Sequence, residues 1–229
     1  MTEQLQPVYA PDDLLSRVQA LLAAARPDQA APPDSSGVRP PRILVGIAGP
    51  PGCGKSTLAA GLVGALNAAG TTATCVPMDG FHLAGAELAR LGRQDRKGAP
   101  DTFDAAGFVN LLTRLRSRTE TVYAPSFDRD LEEPIAGAIA VDPCVEVVVT
   151  EGNYLLLDDG PWARVRTLLD ETWYLDLPDD VRVERLVARH VRHGRTQAAA
   201  RAWTLGPDQG NADLVAATRT RRDAAVRGR

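Results

Sequence analysis

The stretch Ile43-Leu44-Val45-Gly46-Ile47-Ala48-Gly49-Pro50-Pro51-Gly52-Cys53-Gly54-Lys55-Ser56-Thr57 constrains this chain more than any other. An apolar run, read as a buried strand, leads into a glycine-rich turn and then into an apolar stretch at helical spacing. Gly49, Gly54, Lys55 and Ser56 satisfy G-x-x-x-x-G-K-[ST]. Glycines at this spacing let successive backbone N–H groups turn inward onto phosphate oxygens. The helix beginning near Lys55 adds the positive end of its dipole. Residues Gly49, Pro50, Pro51, Gly52, Cys53, Gly54, Lys55, Ser56 and Thr57 are therefore expected to cradle the phosphates of a nucleoside triphosphate. Lys55 should reach the β- and γ-phosphates and the Ser56 hydroxyl should ligate Mg²⁺. A tight strand-to-helix turn that binds nothing is the competing reading, and the strand–loop–helix context speaks against it.

The rest of the chain alternates strand and helix patterns. Strands are expected at 42–48, 72–77, 145–150 and 172–177, with the second beside the first. Helices are expected from Lys55 to Gly70, at 86–91, 105–116 and 179–193, and finally at 212–225. Residues 122–143 read as loop-rich, with room for a short hairpin. This alternation predicts an α/β fold with a doubly wound parallel sheet. Such sheets bind ligands outside the carboxyl ends of their strands, which selects the loops after Ala48, Pro77 and Thr150. Residues 1–41 read as a helix, capped by Asp12 or Asp13, and a Pro-rich linker from Pro27 to Pro41; residues 42–229 read as the main domain.

Composition narrows the function classes. A chain of 229 residues suits one α/β domain with a small lid. A formal net charge of -3 gives no footprint for nucleic acid. Cys53, Cys75 and Cys144 have neither metal spacing nor the count of a disulfide framework. Met1 to Pro11 lacks the apolar core of a leader, and no run of about 18 apolar residues offers a membrane span. The expectation is a cytoplasmic protein with no membrane and no nucleic-acid partner, with a homodimer left open. Only Lys55 and Lys97 are lysines. The [Asn/Thr]-Lys-x-Asp segment by which GTP-binding switches and metallochaperones read guanine is therefore absent.

Three further groups carry chemistry. Asp79 follows the second strand, where a carboxylate can take a proton from an attacking hydroxyl, although Asp also favours a helix N-cap. Glu151 ends the apolar strand through Thr150 and suits a Mg²⁺ site, against the alternative of a sheet-end carboxylate facing solvent. Arg182, Arg185, Arg189 and Arg192 share one helical face, with Arg195 beyond Gly194. They read either as a lid closing over phosphate or as a solvated charged face. His82 follows Asp79 and could hydrogen-bond a substrate, whereas His190 and His193 read as surface residues.

Taken together the motifs resemble the P-loop kinase group that contains uridine kinase, phosphoribulokinase and bacterial pantothenate kinase. Met78-Asp79-Gly80-Phe81-His82 is similar to the group's Asp-containing segment after strand two. Arg96-Lys97-Gly98-Ala99-Pro100-Asp101-Thr102-Phe103-Asp104 is similar to its Arg-Lys-Gly-x-Pro stretch, and Glu151-Gly152-Asn153-Tyr154-Leu155-Leu156 to its Glu-Gly segment. Within the group the likeness is nearest to the nucleoside/nucleotide kinase-like, fructose-transport-system kinase subfamily. The resemblance implies a P-loop kinase with a small helical lid near 182–210, using ATP and Mg²⁺ to phosphorylate a hydroxyl of a small metabolite such as a sugar, a nucleoside or a pantothenate-like compound. It implies Lys55, Asp79 and Glu151 as catalytic residues and Ser56 and Glu151 as metal ligands. His82, Asp101, Phe103, Arg129, Asn153 and Tyr154 would line the acceptor site, and Arg185, Arg189, Arg192 and Arg195 would form the lid. The alternative is a nucleotide-binding regulatory or chaperone-type protein without small-molecule kinase activity.

Overall fold

The computed structural model describes residues 8–10, 13–25 and 40–228. Asp12 and most of the expected Pro-rich linker lie outside the described residues. Eight strands occur among the described residues: β1 (Val8–Tyr9), β2 (Ile43–Ala48), β3 (Ala73–Pro77), β4 (Val122–Asp128), β5 (Glu133–Val141), β6 (Val147–Gly152), β7 (Glu171–Asp176) and β8 (Ala224–Arg227). Six of them form one sheet in the order β1-β8-β7-β2-β6-β3, every pairing parallel. Seven α-helices accompany them: α1 (Leu14–Ala25), α2 (Lys55–Ala68), α3 (Gly85–Arg90), α4 (Ala105–Leu115), α5 (Asp179–Arg192), α6 (Gln197–Trp203) and α7 (Gln209–Ala217). Among the described residues no helix is long and apolar enough to cross a membrane.

Side-chain alternation explains why the central strands are apolar throughout. Ile43, Val45 and Ile47 of β2, Val147 and Val149 of β6, and Trp173 and Leu175 of β7 face one side. There they meet Leu14 and Val18 of α1 and Ala59, Leu62 and Leu66 of α2. Leu44, Val148 and Tyr174 face the other side, against Phe108, Leu111, Leu112 and Leu115 of α4. A strand covered on both faces loses the polar positions of a half-exposed one. The N-terminal helix is thus part of the core, and Arg17 ties it to the buried Glu171 of β7 at 2.7 Å.

Three sequence expectations are corrected. The second strand is not beside the first, because β6 lies between β2 and β3. In register, Glu151 stands opposite Ile47 on one side and Pro77 on the other. The expected last helix at 212–225 stops at Ala217, and Ala224–Arg227 forms β8 beside β7. Ala-rich sequence favours helix locally, yet Ala224, Ala225 and Val226 are buried by pairing with β7. Asp223 secures that entry by accepting the Thr172 N–H at 2.7 Å. The short hairpin expected within 122–143 is a full antiparallel pair of seven-residue β4 and nine-residue β5, with a bulge between Ala124 and Ser126.

That hairpin bears directly on the turn after β3. A Cβ added at Gly80 would lie 2.4 Å from the carbonyl oxygen of Pro125. Backbone opposes backbone here, so no rotamer change relieves the clash. Gly80→Ala is expected to destabilise the fold by about 1–3 kcal/mol, the usual cost of overpacking. The denaturant midpoint should fall with an unchanged slope. A variant as stable as the parent would show that turn and hairpin do not meet.

Candidate active site

The loop between β2 and α2 runs through Gly54, whose φ of 97° is left-handed, and no side chain caps the helix that follows. The first N–H groups of α2 consequently have no side-chain acceptor, the condition that makes a helix N-terminus attract an anion. Lys55 is 8% exposed. Its Nζ donates to the carbonyls of Gly49 at 2.8 Å and Pro50 at 3.0 Å and to Asn153 Oδ1 at 2.8 Å. Cys53 is buried beneath the loop with Sγ 4.0 Å from that ammonium, and burial pushes its thiol pKa up.

Glu151, at the end of β6, accepts a hydrogen bond from Ser56 Oγ at 2.9 Å. Burial raises its pKa above the usual carboxylate range, and the neighbouring Asp79 raises it further, against Lys55 and the Ser56 bond. Adjacent carboxylate and hydroxyl oxygens are the hard donors that Mg²⁺ takes. Among the described residues no cluster of three or more His, Cys, Asp or Glu could hold a metal alone. A Mg²⁺ held by Ser56 and Glu151 would complete its shell from phosphate and water, its usual habit.

Asp79 sits in a 3₁₀ turn (Met78–Phe81) that continues from β3. Its Oδ2 accepts from Arg129 Nη2 of the hairpin at 3.0 Å. His82 Nδ1 lies 2.8 Å from the Asp79 carbonyl oxygen, and its ring packs on Phe103 at 4.0 Å and Phe127 at 4.7 Å. Burial lowers the His82 pKa.

One cavity of about 1410 Å³ joins these groups. It is lined by residues 51–57 of the loop and by Asp79, His82, Phe103, Arg129, Glu151 and Asn153. Of the loop candidates, Gly49 and Pro50 do not line it, and neither do two of the acceptor-site candidates. Asp101 points away into ion pairs with Arg96 at 2.6 Å and Arg93 at 3.3 Å. Tyr154 is buried in the core, with its hydroxyl donating to the Gly98 carbonyl at 2.5 Å. Lys97, Phe127, Glu132, Asp208 and Asn211 also line the cavity. Only Lys97 stood out in the sequence, through the scarcity of lysine.

Helix α5 packs on the loop itself. Arg185, Arg189, Arg192 and Arg195 all line the cavity, but Arg182 is fully buried. Arg182 bonds Asp179 at 3.0 Å and Gln209, so the first arginine of the presumed stripe is structural. His190 is not the surface residue the sequence suggested: its Nε2 lies 2.7 Å from Asp208 Oδ2, and both side chains are largely buried.

A model of the phosphoribulokinase / uridine kinase family matches residues 44–202. The chain belongs to this family. It is a P-loop kinase of the uridine kinase-like type. It is 39% identical over 152 residues to the ATP-dependent kinase-like protein notR' of Aspergillus versicolor, covering 62% of this chain and 88% of that one. A protein of Schizosaccharomyces pombe described as a candidate uridine kinase is 39% identical over 160 residues, covering 67% and 68%. A crystal structure of a candidate fructose transport system kinase from Silicibacter sp. TM1040 superposes with a TM-score of 0.79 at 40% identity, covering 93% of this chain and 98% of that one.

In this P-loop kinase the contact of α5 with the loop centres on Gly52. Its φ is 82°, and an added Cβ would lie 2.6 Å from Leu186 Cγ and 3.1 Å from the Arg182 carbonyl oxygen. Gly52→Ala would therefore strain the loop and push α5 off it together. Amide hydrogen exchange across 182–192 is expected to speed up in this variant, while exchange in β2 and β6 stays slow. Unchanged exchange in α5 would contradict that coupling.

Proposed function

We propose that this chain transfers the γ-phosphoryl group of ATP to a hydroxyl of a small metabolite, a sugar, nucleoside or pantothenate-like compound. One observation carries the reading. Asp79 lines the same cavity as Lys55, Ser56 and Glu151, yet its carboxylate is held by Arg129 of the hairpin and not by the loop. Two carboxylates thus stand on different walls with different partners, which suits one to the metal and one to the acceptor.

The roles follow from the contacts. Lys55 is held by carbonyls it can exchange for phosphate oxygens, and Asn153 fixes its direction. Ser56 and Glu151 would hold Mg²⁺, which would supply charge neutralisation on the transferring phosphates. Arg185 Nη1 lies 3.7 Å from where a Gly54 Cβ would be, over the loop, so its charge reaches the transferring group. Arg129 orients Asp79, which takes the proton of the attacking hydroxyl. Phosphoryl transfer asks the protein mainly for such positioning and charge. Helices α5 and α6 close as a lid that excludes water.

Three substitutions separate these roles. Lys55→Ala should keep the fold and lose tight ATP binding, and an unchanged calorimetric affinity would rule out the phosphate assignment. Asp79→Asn should cut acceptor-dependent turnover by about 10²–10⁴ while ATP affinity stays within a few-fold. Glu151→Gln should show a defect that shrinks as Mg²⁺ is raised. If added Mg²⁺ rescues Asp79→Asn instead, the two carboxylates have exchanged roles.

A further inference from the structure

Beyond the phosphate loop the cavity opens into a chamber between the turn carrying Asp79, the β4–β5 hairpin and α5. Three of its carboxylates already have partners among the described residues. Asp79 takes Arg129, and Asp208 takes His190 at 2.7 Å. Glu132 takes Lys97, at 3.7 Å between carboxylate and ammonium. Arg189 also lines the chamber, and its guanidinium makes no hydrogen bond or ion pair among the described residues.

Arg189 lines the cavity together with Arg129, Asp208, Asp79 and Glu132. Burial lowers its pKa and Arg129 lowers it further, while Asp208, Asp79 and Glu132 raise it. All belong to the chamber, whereas Arg185, one turn earlier on α5, lies over the loop at Gly54. A partly buried guanidinium beside a second one is unfavourable unless an anion joins them. The floor suits an organic molecule: the Phe127 ring has Lys97 Nζ at 5.2 Å and Arg129 Cζ at 5.9 Å from its centroid.

We propose that the acceptor carries an anionic group, a carboxylate or a phosphate ester, that pairs with Arg189 beside Arg129 while its hydroxyl lies at Asp79. This rests on the kinase reading above and adds the acceptor's charge to it. A guanidinium fork matches both anions bidentately. A neutral sugar or nucleoside would leave the half-buried Arg189 without a hydrogen-bond partner.

Matched pairs test this: pantothenate against pantothenol, and fructose 6-phosphate against fructose, assayed by ADP release with ATP and Mg²⁺. The anionic member of at least one pair should be used with the higher kcat/KM, and the pair that responds tells carboxylate from phosphate. Arg189→Gln should raise KM for that anion by roughly thirtyfold or more, the scale of losing one partner of a buried charge pair. ATP affinity should stay within a few-fold, and Arg189→Lys should rescue only in part. Binding supplies a second readout. With the loop filled by a non-hydrolysable ATP analogue and Mg²⁺, calorimetry should show the anionic probes or inorganic phosphate binding the parent, and that binding should be lost in Arg189→Gln.

Preference for the neutral members would overturn the proposal and leave the kinase reading intact. So would an Arg189→Gln defect confined to ATP affinity, which would assign this arginine to the nucleotide. No binding of any anionic probe to the analogue-loaded protein would overturn it as well. Failure of the parent to bind the ATP analogue would instead count against the kinase reading.

Discussion

A lysine ammonium that is 8% exposed must be solvated by protein oxygens, and much of this site follows from where Lys55 finds them. Two come from its own loop, the carbonyls of Gly49 and Pro50, and the third is Asn153, just past the end of β6. Ser56, the next residue, makes its bond to Glu151, also on β6. The start of α2 is therefore fastened twice to the strand beside β2. This requires β6 and not β3 to neighbour β2, and the parallel register of Ile47 with Glu151 sets the level. Removing one partner of such a buried charge typically costs more than the bond itself contributes, because the other is left unsolvated.

The opposite wall of the cavity is assembled from segments far apart in sequence. The hairpin reaches the turn after β3 through Arg129 and Asp79 and through the close approach of Gly80 to Pro125. Gly98 is a second meeting point. Its carbonyl accepts the Tyr154 hydroxyl from the β6 side and Asn211 Nδ2 from α7 at 3.3 Å. The helical run after α5 passes from α6 to α7 through a five-residue π-helix, Thr204–Asp208, with Pro207 inside it. This irregular turn, a geometry frequent at functional sites, presents Asp208 to His190. Tyr154 and Asp101 thus brace this wall from behind or beside it, without lining the cavity.

What could be read from the sequence had a local cause. The phosphate loop, the buried strands and the carboxylates after Pro77 and Thr150 announce themselves through short-range spacing, because backbone geometry fixes them within a few residues. The order of strands does not, since β6, which follows the hairpin in sequence, lies between β2 and β3. Nor does β8, whose Ala-Ala-Val core is helix-like alone and becomes a strand because β7 offers an open edge. The length of the hairpin was obscured by the β-bulge and by Pro125, Pro134 and Gly137, which read as loop signals. Asp208 and Asn211 had no signal at all, as their place depends on where the chain returns after α5.

Helix α5 shows most plainly why a charge pattern underdetermines function. Asp179 and Asp180 in its first turn and Arg189, His190 and Arg192 in its last all complement the helix dipole, which by itself would account for a solvated stripe. The packing divides the arginines instead. Arg182 is drawn inside, because the turn that seats Leu186 on Gly52 also faces Gln209 of α7. Arg185 comes out over the loop, Arg189 over the chamber, and Arg192 reaches the open rim. Past the helix, Arg195 lies 4.1 Å from the Trp203 ring centroid, so the aromatic face of α6 takes up the last positive charge. Residues one turn apart advance about 5–6 Å along a helix, a step long enough to pass from the phosphate loop at Gly54 to the part of the cavity beside Asp79. A single helix laid along the cavity can in this way present identical side chains to different surroundings, each made distinct by what stands opposite it.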